Sequence, residues 1–297
     1  MSDTTASLRR KIDGAEDLQS VVRTMKALAA SSIGQYEQSV RALAVYYRTV
    51  ELGLSVCLRK SGAASLMVQR ERQTVAGTIR AVVFGSDQGM VGQFNDVVVD
   101  YAVNKLAGLP GKLEVWVVGE RVHARLADAG LPLMGRLNVP NSVKAITPLV
   151  GQILVESGKP HGQGEVTELH LIYNCRASGA VYAPVSQRLL PLGDEWRSKL
   201  VELPWPTKAL PEVVGGDTAT LRALIREYLF VSLFRACAES LASENASRLA
   251  AMQRADKNIG ELLEDLNVTF HRSRQSAIDE ELFDVISGFE ALSVENK

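Results

Sequence analysis

The chain has 297 residues, of which 46% are hydrophobic, and a formal net charge of −1. This composition is typical of a globular protein of one or two domains and lacks the basic excess of a nucleic-acid-binding protein. Met1 to Ser7 has neither the basic nor the apolar region of a signal peptide, and no run of about 18 apolar residues could span a bilayer. We therefore expect no nucleic-acid partner and no transmembrane segment.

The distribution of proline predicts two long helical arms. All ten prolines lie between Pro110 and Pro211, and residues 218–292 contain only two glycines, Gly260 and Gly288. Proline costs about 3 kcal/mol inside a helix and glycine about 1 kcal/mol. At about 1.5 Å per residue, the second arm would be a helix of roughly 110 Å. Such a helix is typical of a shaft, a spacer or a dimerisation element.

Both arms carry a narrow stripe of apolar or small residues at helical spacing. Either stripe alone could belong to an ordinary surface helix, but two such arms favour an antiparallel helix pair. The first stripe comprises Leu8, Ile12, Ala15, Val22, Met25, Ala29, Ser32, Tyr36, Val40 and Leu43. The second comprises Leu221, Ile225, Tyr228, Ser232, Leu241, Asn245, Leu249, Met252, Ile259, Leu262 and Leu266.

If the middle of the chain leaves and rejoins the pair near Arg59 and Asp217, position i of the first arm faces roughly position 275 minus i of the second. Opposite charges support this register, since Arg9, Arg10 and Lys11 would lie near Glu261, Glu264 and Asp265. Met25 would lie near Leu249 and Met252.

The same register leaves residues 266–292 without a partner helix. Apolar side chains surround most of this segment: Phe270, Ile278, Leu282, Phe283, Val285, Ile286 and Phe289. A helix that is apolar on nearly every side requires a covering partner. The alternative is that the segment folds back onto the middle of its own chain.

The middle region alternates strand-like and helical patterns. The strand-like runs are residues 78–84, 113–118 and 167–173, and the helical patterns are residues 96–107, 121–129 and 142–157. This alternation builds a parallel sheet. We predict an α/β fold, with a Rossmann-like domain at 61–217 inserted into a long antiparallel two-helix coiled coil from 1–60 and 218–297.

A glycine-rich turn, GSDQGMVGQFN, follows the first strand at residues 85–95. Its glycines, Gly85, Gly89 and Gly92, do not form GxGxxG, and no GK[ST] is present. We therefore predict a structural turn in which Asp87 and Asn95 cap backbone amides.

No catalytic or metal-binding pattern is visible in the sequence. The four histidines lack HExxH spacing, and there is no GxSxG motif. Cys57, Cys175 and Cys237 are single and widely spaced, so we expect buried structural thiols. We predict no catalytic residue, no metal and no cofactor.

Three segments resemble the gamma subunit of F-type rotary ATP synthases. The first is LRRKIDGAEDLQSVVRTMKALAAS at residues 8–31, and the second is ENASRLAAMQRADKN with RSRQSAIDEELFDVISGFEAL at residues 244–292. The third is the turn at residues 85–95, which is similar to the family's SDRGLCGGLN. Gln88, Val91, Gln93 and Asp279 depart from the family pattern, which indicates a divergent or alternate bacterial form.

The resemblance implies roles for individual residues. Met25 and Arg248 match a shaft position where the two helices meet the surrounding beta subunits. Arg274 and Gln275 match the region that touches the catch loops of alpha and beta, where arginine offers several fixed donors. The end from residue 278 to 289, including Ile278, Glu281 and Leu282, would lie in the sleeve of the ring.

The resemblance also implies a central rotor shaft that couples ion-driven rotation of the c-ring to ATP synthesis or hydrolysis in the beta subunits. Its partners would be the hexameric alpha and beta ring, the epsilon subunit and the membrane c-ring. It would be a peripheral protein at the cytoplasmic face of the cell inner membrane.

Two other classes of function predict different features. A nucleotide-dependent enzyme with a helical dimerisation arm predicts a phosphate-binding turn, which the sequence does not contain. A coiled-coil adaptor or dimerising scaffold without catalytic activity predicts self-association of the isolated chain.

Overall fold

The computed structural model describes residues 4–60, 77–158, 166–177, 179–209, 211–213 and 217–294. Its contacts divide the chain into two compact units. The helical unit comprises Met1–Leu28 and Leu249–Lys297, and the sheet unit comprises Ala29–Arg248. Within the described ranges, none of the helices is long and apolar enough to cross a membrane.

Two long helices run from one unit into the other. Helix α1 spans Thr5–Lys60 and helix α6 spans Asp217–Val294, or 56 and 78 residues. Neither helix contains proline, so their backbone hydrogen bonds continue without interruption. The arms predicted from the proline distribution are therefore helices; the division of the chain into domains at these points stays a prediction.

The sheet unit contains the remaining elements between the long helices. In chain order they are β1 (Thr78–Phe84), α2 (Phe94–Ala107), β2 (Lys112–Val118), α3 (Glu120–Asp128), β3 (Leu133–Leu137), α4 (Val143–Gly158), β4 (Val166–Ala177), β5 (Ala180–Leu190) and α5 (Asp194–Val201). The strand order is β3-β2-β1-β4-β5.

The sheet is mixed, because β5 pairs with β4 in the antiparallel direction while the other pairs are parallel. The prediction of a parallel sheet is thus confirmed for four strands and incomplete at β5. The sequence patterns missed β3, which contains Gly135, and β5, which contains Pro184. Proline disfavours a central strand but is tolerated in an outermost one, and β5 is at the end of the sheet.

The sheet separates two apolar cores. One face packs against α2 and α3 through residues such as Val98, Leu106 and Leu126. The other face packs against α4 and against those parts of α1 and α6 that belong to the sheet unit, with Tyr36 and Leu233 among the buried side chains. In this unit the two long helices run antiparallel, since Tyr46 donates to Glu227 at 2.8 Å and Gly53 lies against Leu224.

A buried ion pair joins the two central strands of the parallel part. Arg80 on β1 and Glu114 on β2 are each 1% exposed, and Arg80 Nε donates to Glu114 Oε2 at 2.9 Å. The same guanidinium donates to the carbonyls of Glu156 and Ser157 in the last turn of α4. A cation at a helix C-terminus is electrostatically favourable, so one side chain links two strands and a helix.

Burial alone would raise the pKa of Glu114, but hydrogen bonds from Arg80 and Lys112 and their charges hold that pKa below its ordinary value. A carboxyl with a lowered pKa contributes stability that is present above its unfolded pKa and is lost as the pH falls through the folded value. The fold should therefore lose part of its stability in acid, below pH 4.5.

We predict that Glu114→Gln lowers the free energy of unfolding by about 3–5 kcal/mol, because a neutral amide does not compensate the buried Arg80 charge as the Glu114 carboxylate does. Chemical denaturation of the full chain followed by circular dichroism measures this loss. Glu120→Gln is the matched control, since its pair with Arg136 is exposed and 3.4 Å long. Equal stability losses for the two variants would contradict the assigned role of Arg80 and Glu114.

Gly85 follows the last residue of β1 and lies against α3. A β-carbon at this position would lie 2.0 Å from Val122 Cγ2 of α3, so Gly85→Ala should cost at least about 1–3 kcal/mol through overpacking. At Gly108 a β-carbon would meet no atom within 4 Å, and the backbone is right-handed at φ −87°. Gly108→Ala should therefore be neutral or stabilising by up to about 1 kcal/mol. Thermal unfolding of both variants checks the contrast.

Candidate functional site

The turn after β1 is held by the Asp87 carboxylate. Asp87 Oδ1 accepts from the amide of Glu120 at 2.9 Å, and Oδ2 accepts from the amide of Val139 at 2.9 Å. The first of these bonds caps the N-terminus of α3, where a carboxylate also favours the helix dipole. The predicted capping by Asp87 is confirmed.

Asn95 holds the other end of the same turn. Its Oδ1 accepts from the amide of Ser86 at 3.1 Å, and its Nδ2 donates to Ser86 Oγ at 2.8 Å. The capping predicted for Asn95 is therefore confirmed as well. Gly92 has φ 55°, a left-handed conformation that glycine adopts without a steric penalty. Gly89 is half-buried, and a β-carbon there would come no closer than 3.9 Å, to Arg121.

Met90, between these glycines, has φ 59° and is 63% exposed. A left-handed backbone is uncommon for a residue with a side chain, and such strain persists only where the surroundings fix it. The hydrogen bonds of Asp87 and Asn95 supply that constraint. The turn thus presents an apolar side chain at its tip.

The strand order reverses between β1 and β4, where doubly wound folds bind dinucleotides. In this chain two of its own side chains bind the turn at that position. Asn174 of β4 donates to the carbonyl of Phe94 at 2.8 Å, and Ser247 of α6 donates to the carbonyl of Val91 at 2.6 Å. The turn is therefore anchored to both β4 and α6.

Beside Ser247, α6 contains an ion pair between the buried Glu244 and the half-buried Arg248. Arg248 donates to Glu244 Oε1 at 2.7 Å, one helical turn away, and the two side chains are 12% and 7% exposed. Burial raises the pKa of the Glu244 carboxyl, the Arg248 charge opposes this, and the Asp87 carboxylate adds to it. Arg248, predicted as a shaft residue, is thus a half-buried member of a polar group on the sheet unit.

No sequence pattern pointed to Ser247, because serine in a helix usually faces solvent or bonds to its own helix. Ser247 is not among the residues of the predicted stripe, so its hydrogen bond to the turn was not anticipated. Among the cysteines, Cys57 and Cys237 are buried as expected, whereas Cys175 is half-buried. Burial raises the pKa of the Cys175 thiol to about 11.

In the helical unit, α1 and α6 lie side by side and antiparallel. Asp256 pairs with Arg23 at 3.3 Å and with Lys26 at 3.1 Å, and Gly260 faces Gln19. The predicted register places position 252 opposite Arg23, so it is wrong here by about one helical turn, whereas Tyr47 does face Tyr228 in the sheet unit. Arg9 pairs within α1, with Asp13 at 3.7 Å.

Met25 is half-buried in the helical unit. It stays a prediction that Met25 lies near Leu249 and Met252. It also stays a prediction that Met25 and Arg248 share one position on the shaft. Met252 itself is 4% exposed.

The C-terminal part of α6 is exposed in the helical unit. Arg274, Gln275 and Glu281 all face solvent. The apolar side chains among them are also exposed by about half or more: Ile278, Leu282, Phe283, Val285 and Ile286. The side chain of Phe289 lies outside the described residues. A contiguous apolar surface of this kind marks an interaction site.

Comparison with known proteins identifies the family. A family model described as ATP synthase matches residues 4–292. Relatives named ATP synthase gamma chain include that of Syntrophus aciditrophicus, 29% identical over 96% of this chain and 97% of the relative. The relative from Salinibacter ruber is 28% identical, with the same coverage.

Solved structures show the same fold. A chain of the Euglena gracilis mitochondrial ATP synthase, in a structure of OSCP, F1 and c-ring, has a TM-score of 0.62 at 18% identity and covers 99% of this chain and 96% of its own length. A chain of the Tetrahymena thermophila mitochondrial central stalk and c-ring has a TM-score of 0.52 at 21% identity, covering 79% of this chain and 99% of its own. Because the family model matches nearly the whole chain, the chain belongs to the ATP synthase family, and its relatives there are gamma chains.

Proposed function

We propose that this chain is the central rotor shaft of an F-type ATP synthase. It couples ion-driven rotation of the c-ring to ATP synthesis or hydrolysis at the beta-subunit sites. The subunit is non-catalytic, and catalysis takes place in the beta subunits. One structural observation carries the proposal: the uninterrupted 78-residue helix α6 ends in exposed apolar side chains that require a surrounding partner.

The partners are the hexameric ring of alpha and beta subunits, the epsilon subunit and the membrane c-ring. The ring covers the end of α6, where Ile278, Leu282 and Phe283 supply apolar area. Arg274, Gln275 and Glu281 offer charge and hydrogen bonds on the same exposed segment. In these positions they make polar contacts that change as the shaft turns.

We assign Met25 and Arg248 to the region where the shaft meets the beta subunits. Asp87, Gly89, Gly92 and Asn95 keep the β1–α2 turn rigid, so their role is to hold the shape of the sheet unit. The complex is peripheral at the cytoplasmic face of the inner membrane.

The mechanism follows from asymmetry. A helix pair without threefold symmetry contacts each beta subunit differently, so it stabilises a different nucleotide-binding conformation in each one. Rotation moves these preferences from one beta subunit to the next. Rotation and nucleotide binding are coupled because the shaft contacts the different conformations of a beta subunit with different free energies. A coiled-coil adaptor or dimerising scaffold is not favoured, since the family match extends from residue 4 to 292.

The test is reconstitution with the alpha and beta subunits of the same genome. We expect one copy of the chain in the assembled complex and a changed rate of ATP hydrolysis when residues 275–297 are removed. Gel filtration and steady-state hydrolysis measure the two results. An isolated chain that forms dimers and does not enter the complex would contradict the proposal.

A point substitution sharpens this test. Phe283→Ser removes an apolar side chain that is 70% exposed on α6. Burying a phenylalanine side chain contributes about 1.5–3 kcal/mol, so we expect the variant to bind the ring at least about fivefold more weakly. Val155→Ser is the control, since Val155 is 59% exposed on α4 and lies outside the proposed contact. Equal effects of the two variants would remove the special role of the end of α6.

A further inference from the structure

The inner face of α1 in the helical unit begins as an apolar seam and continues with polar residues. Leu8, Ile12 and Ala15 are buried at alternating steps of four and three. Continuing the same steps gives Gln19, Val22 and Lys26, all half-buried. Two of the last three seam positions are therefore polar, one heptad apart. A polar residue on such a seam specifies the register of paired helices at some cost in stability.

Each polar seam residue faces a matching residue on α6. Lys26 Nζ lies 3.1 Å from Asp256 Oδ2, and Arg23 Nε lies 3.3 Å from the other oxygen, Oδ1. Asp256 is only 20% exposed, so this carboxylate lies largely between the helices. Gln19 faces Gly260, one turn further along α6, where the absence of a side chain leaves room for the amide.

A slip of one helical turn would destroy both matches. It would place Lys26 opposite either Met252, which is apolar and buried, or Gly260, which has no side chain. Neither residue can accept a hydrogen bond from an ammonium group with its side chain in the way a carboxylate does. The apolar and small residues of the seam would tolerate the same slip far better, because they lack directional bonds.

Two cations share the single carboxylate. The hydrogen bond from Lys26 above all, with that from Arg23, holds the pKa of Asp256 below its ordinary value against the effect of desolvation. The carboxylate therefore stays charged at neutral pH. Arg23 and Lys26 are three residues apart, so they approach Asp256 from successive turns of α1.

We propose that Asp256 is a positioning residue of the rotor: through Lys26 and Arg23 it fixes the axial register of α1 against α6 in the helical unit. This register sets the height of the outward-facing side chains of α1 relative to those of α6. The outward side chains include Leu18, Val21 and Leu28, which are more than half exposed. A one-turn slip would move them by about 5.4 Å along the shaft. The functional part of this inference rests on the proposed rotor function.

Cysteine pairs report the register directly. The disulfide yield of Gln19→Cys with Gly260→Cys in the otherwise unaltered chain sets the reference for the native register, since a β-carbon at Gly260 would lie 3.9 Å from Nε2 at the tip of Gln19. Gln19→Cys with Glu264→Cys or with Lys257→Cys reports a slip of about one turn in either direction. The full chain is tested alone and assembled with alpha and beta subunits, and single-cysteine variants give the background.

The charge at position 256 is then altered in each of the double-cysteine variants. Asp256→Asn and Asp256→Lys should reduce the native disulfide, the second at least about fivefold, and increase one of the slipped ones. Arg23→Glu and Lys26→Glu together with Asp256→Lys reverse every charge and should restore the native disulfide. Glu261→Gln is the matched control, because its exposed pair with Lys257 lies within α6 and joins no second helix.

The functional readout is the number of ions pumped per ATP hydrolysed in membrane vesicles. We expect Asp256→Lys to lower this ratio at least about twofold, and the charge-reversed triple variant to restore it. A native disulfide that is unchanged in Asp256→Lys, or not restored by the triple variant, would overturn the inference. So would a shifted register with an unchanged pumping ratio. Failure to assemble with alpha and beta would instead refute the rotor function, because the disulfides of the isolated chain are scored separately.

Discussion

Uninterrupted backbone hydrogen bonding in two helices is the constraint on which the rest of the molecule depends. Helices α1 and α6 use the two ends of the chain, and every proline lies between them in the sequence. Because a helix loses a bond and gains a clash at each internal proline, the arms can be long only if proline is confined to the middle. The sheet unit takes all ten prolines, with Pro148 inside α4 and Pro184 in β5.

The sheet unit is fixed by a few directional contacts added to its two cores. Arg80 connects β1, β2 and α4, while Asp87 and Asn95 fix the turn that follows β1. Ser247 then bonds that turn to α6. The contacts of Arg80, Asn95 and Ser247 involve buried polar groups, so they are costly to break as well as specific in geometry. The part of α6 that belongs to this unit is therefore attached to the sheet by a hydrogen bond as well as by packing.

The sequence predicted the features that depend on local pattern. The two long helices, three of the strands and the capping roles of Asp87 and Asn95 follow from helix breakers, β-branched runs and short polar side chains. The order of strands and the antiparallel direction of β5 depend on tertiary pairing, which no local pattern encodes. Pro184 even disfavoured the prediction of a strand at β5. The free-energy cost of proline in a strand depends on whether that strand lies inside the sheet or at its end.

The register of the helix pair shows the same limit. A rule based on where the chain leaves and rejoins the pair holds at Tyr47 and Tyr228 but is about one turn off at Asp256. Arg9, one of the charges used to support this rule, pairs with Asp13 on its own helix. Exposed charges find local partners easily, so they constrain register weakly. The half-buried Lys26 and Gln19 were better indicators, because a seam position leaves a polar group few alternatives.

The position of Pro184 in the outermost strand also affects how the subunit behaves before it is assembled into the complex. An outermost strand offers its free amides and carbonyls to any other strand that approaches, including the same strand of a second copy. Pro184 lacks an amide hydrogen, and Arg188 adds a charge to the same strand. In a newly made subunit that has not yet bound the ring, Pro184 and Arg188 thereby disfavour pairing of β5 with strands of other copies. A substitution of Pro184 by valine would consequently act on yield and solubility during biogenesis rather than on the finished motor.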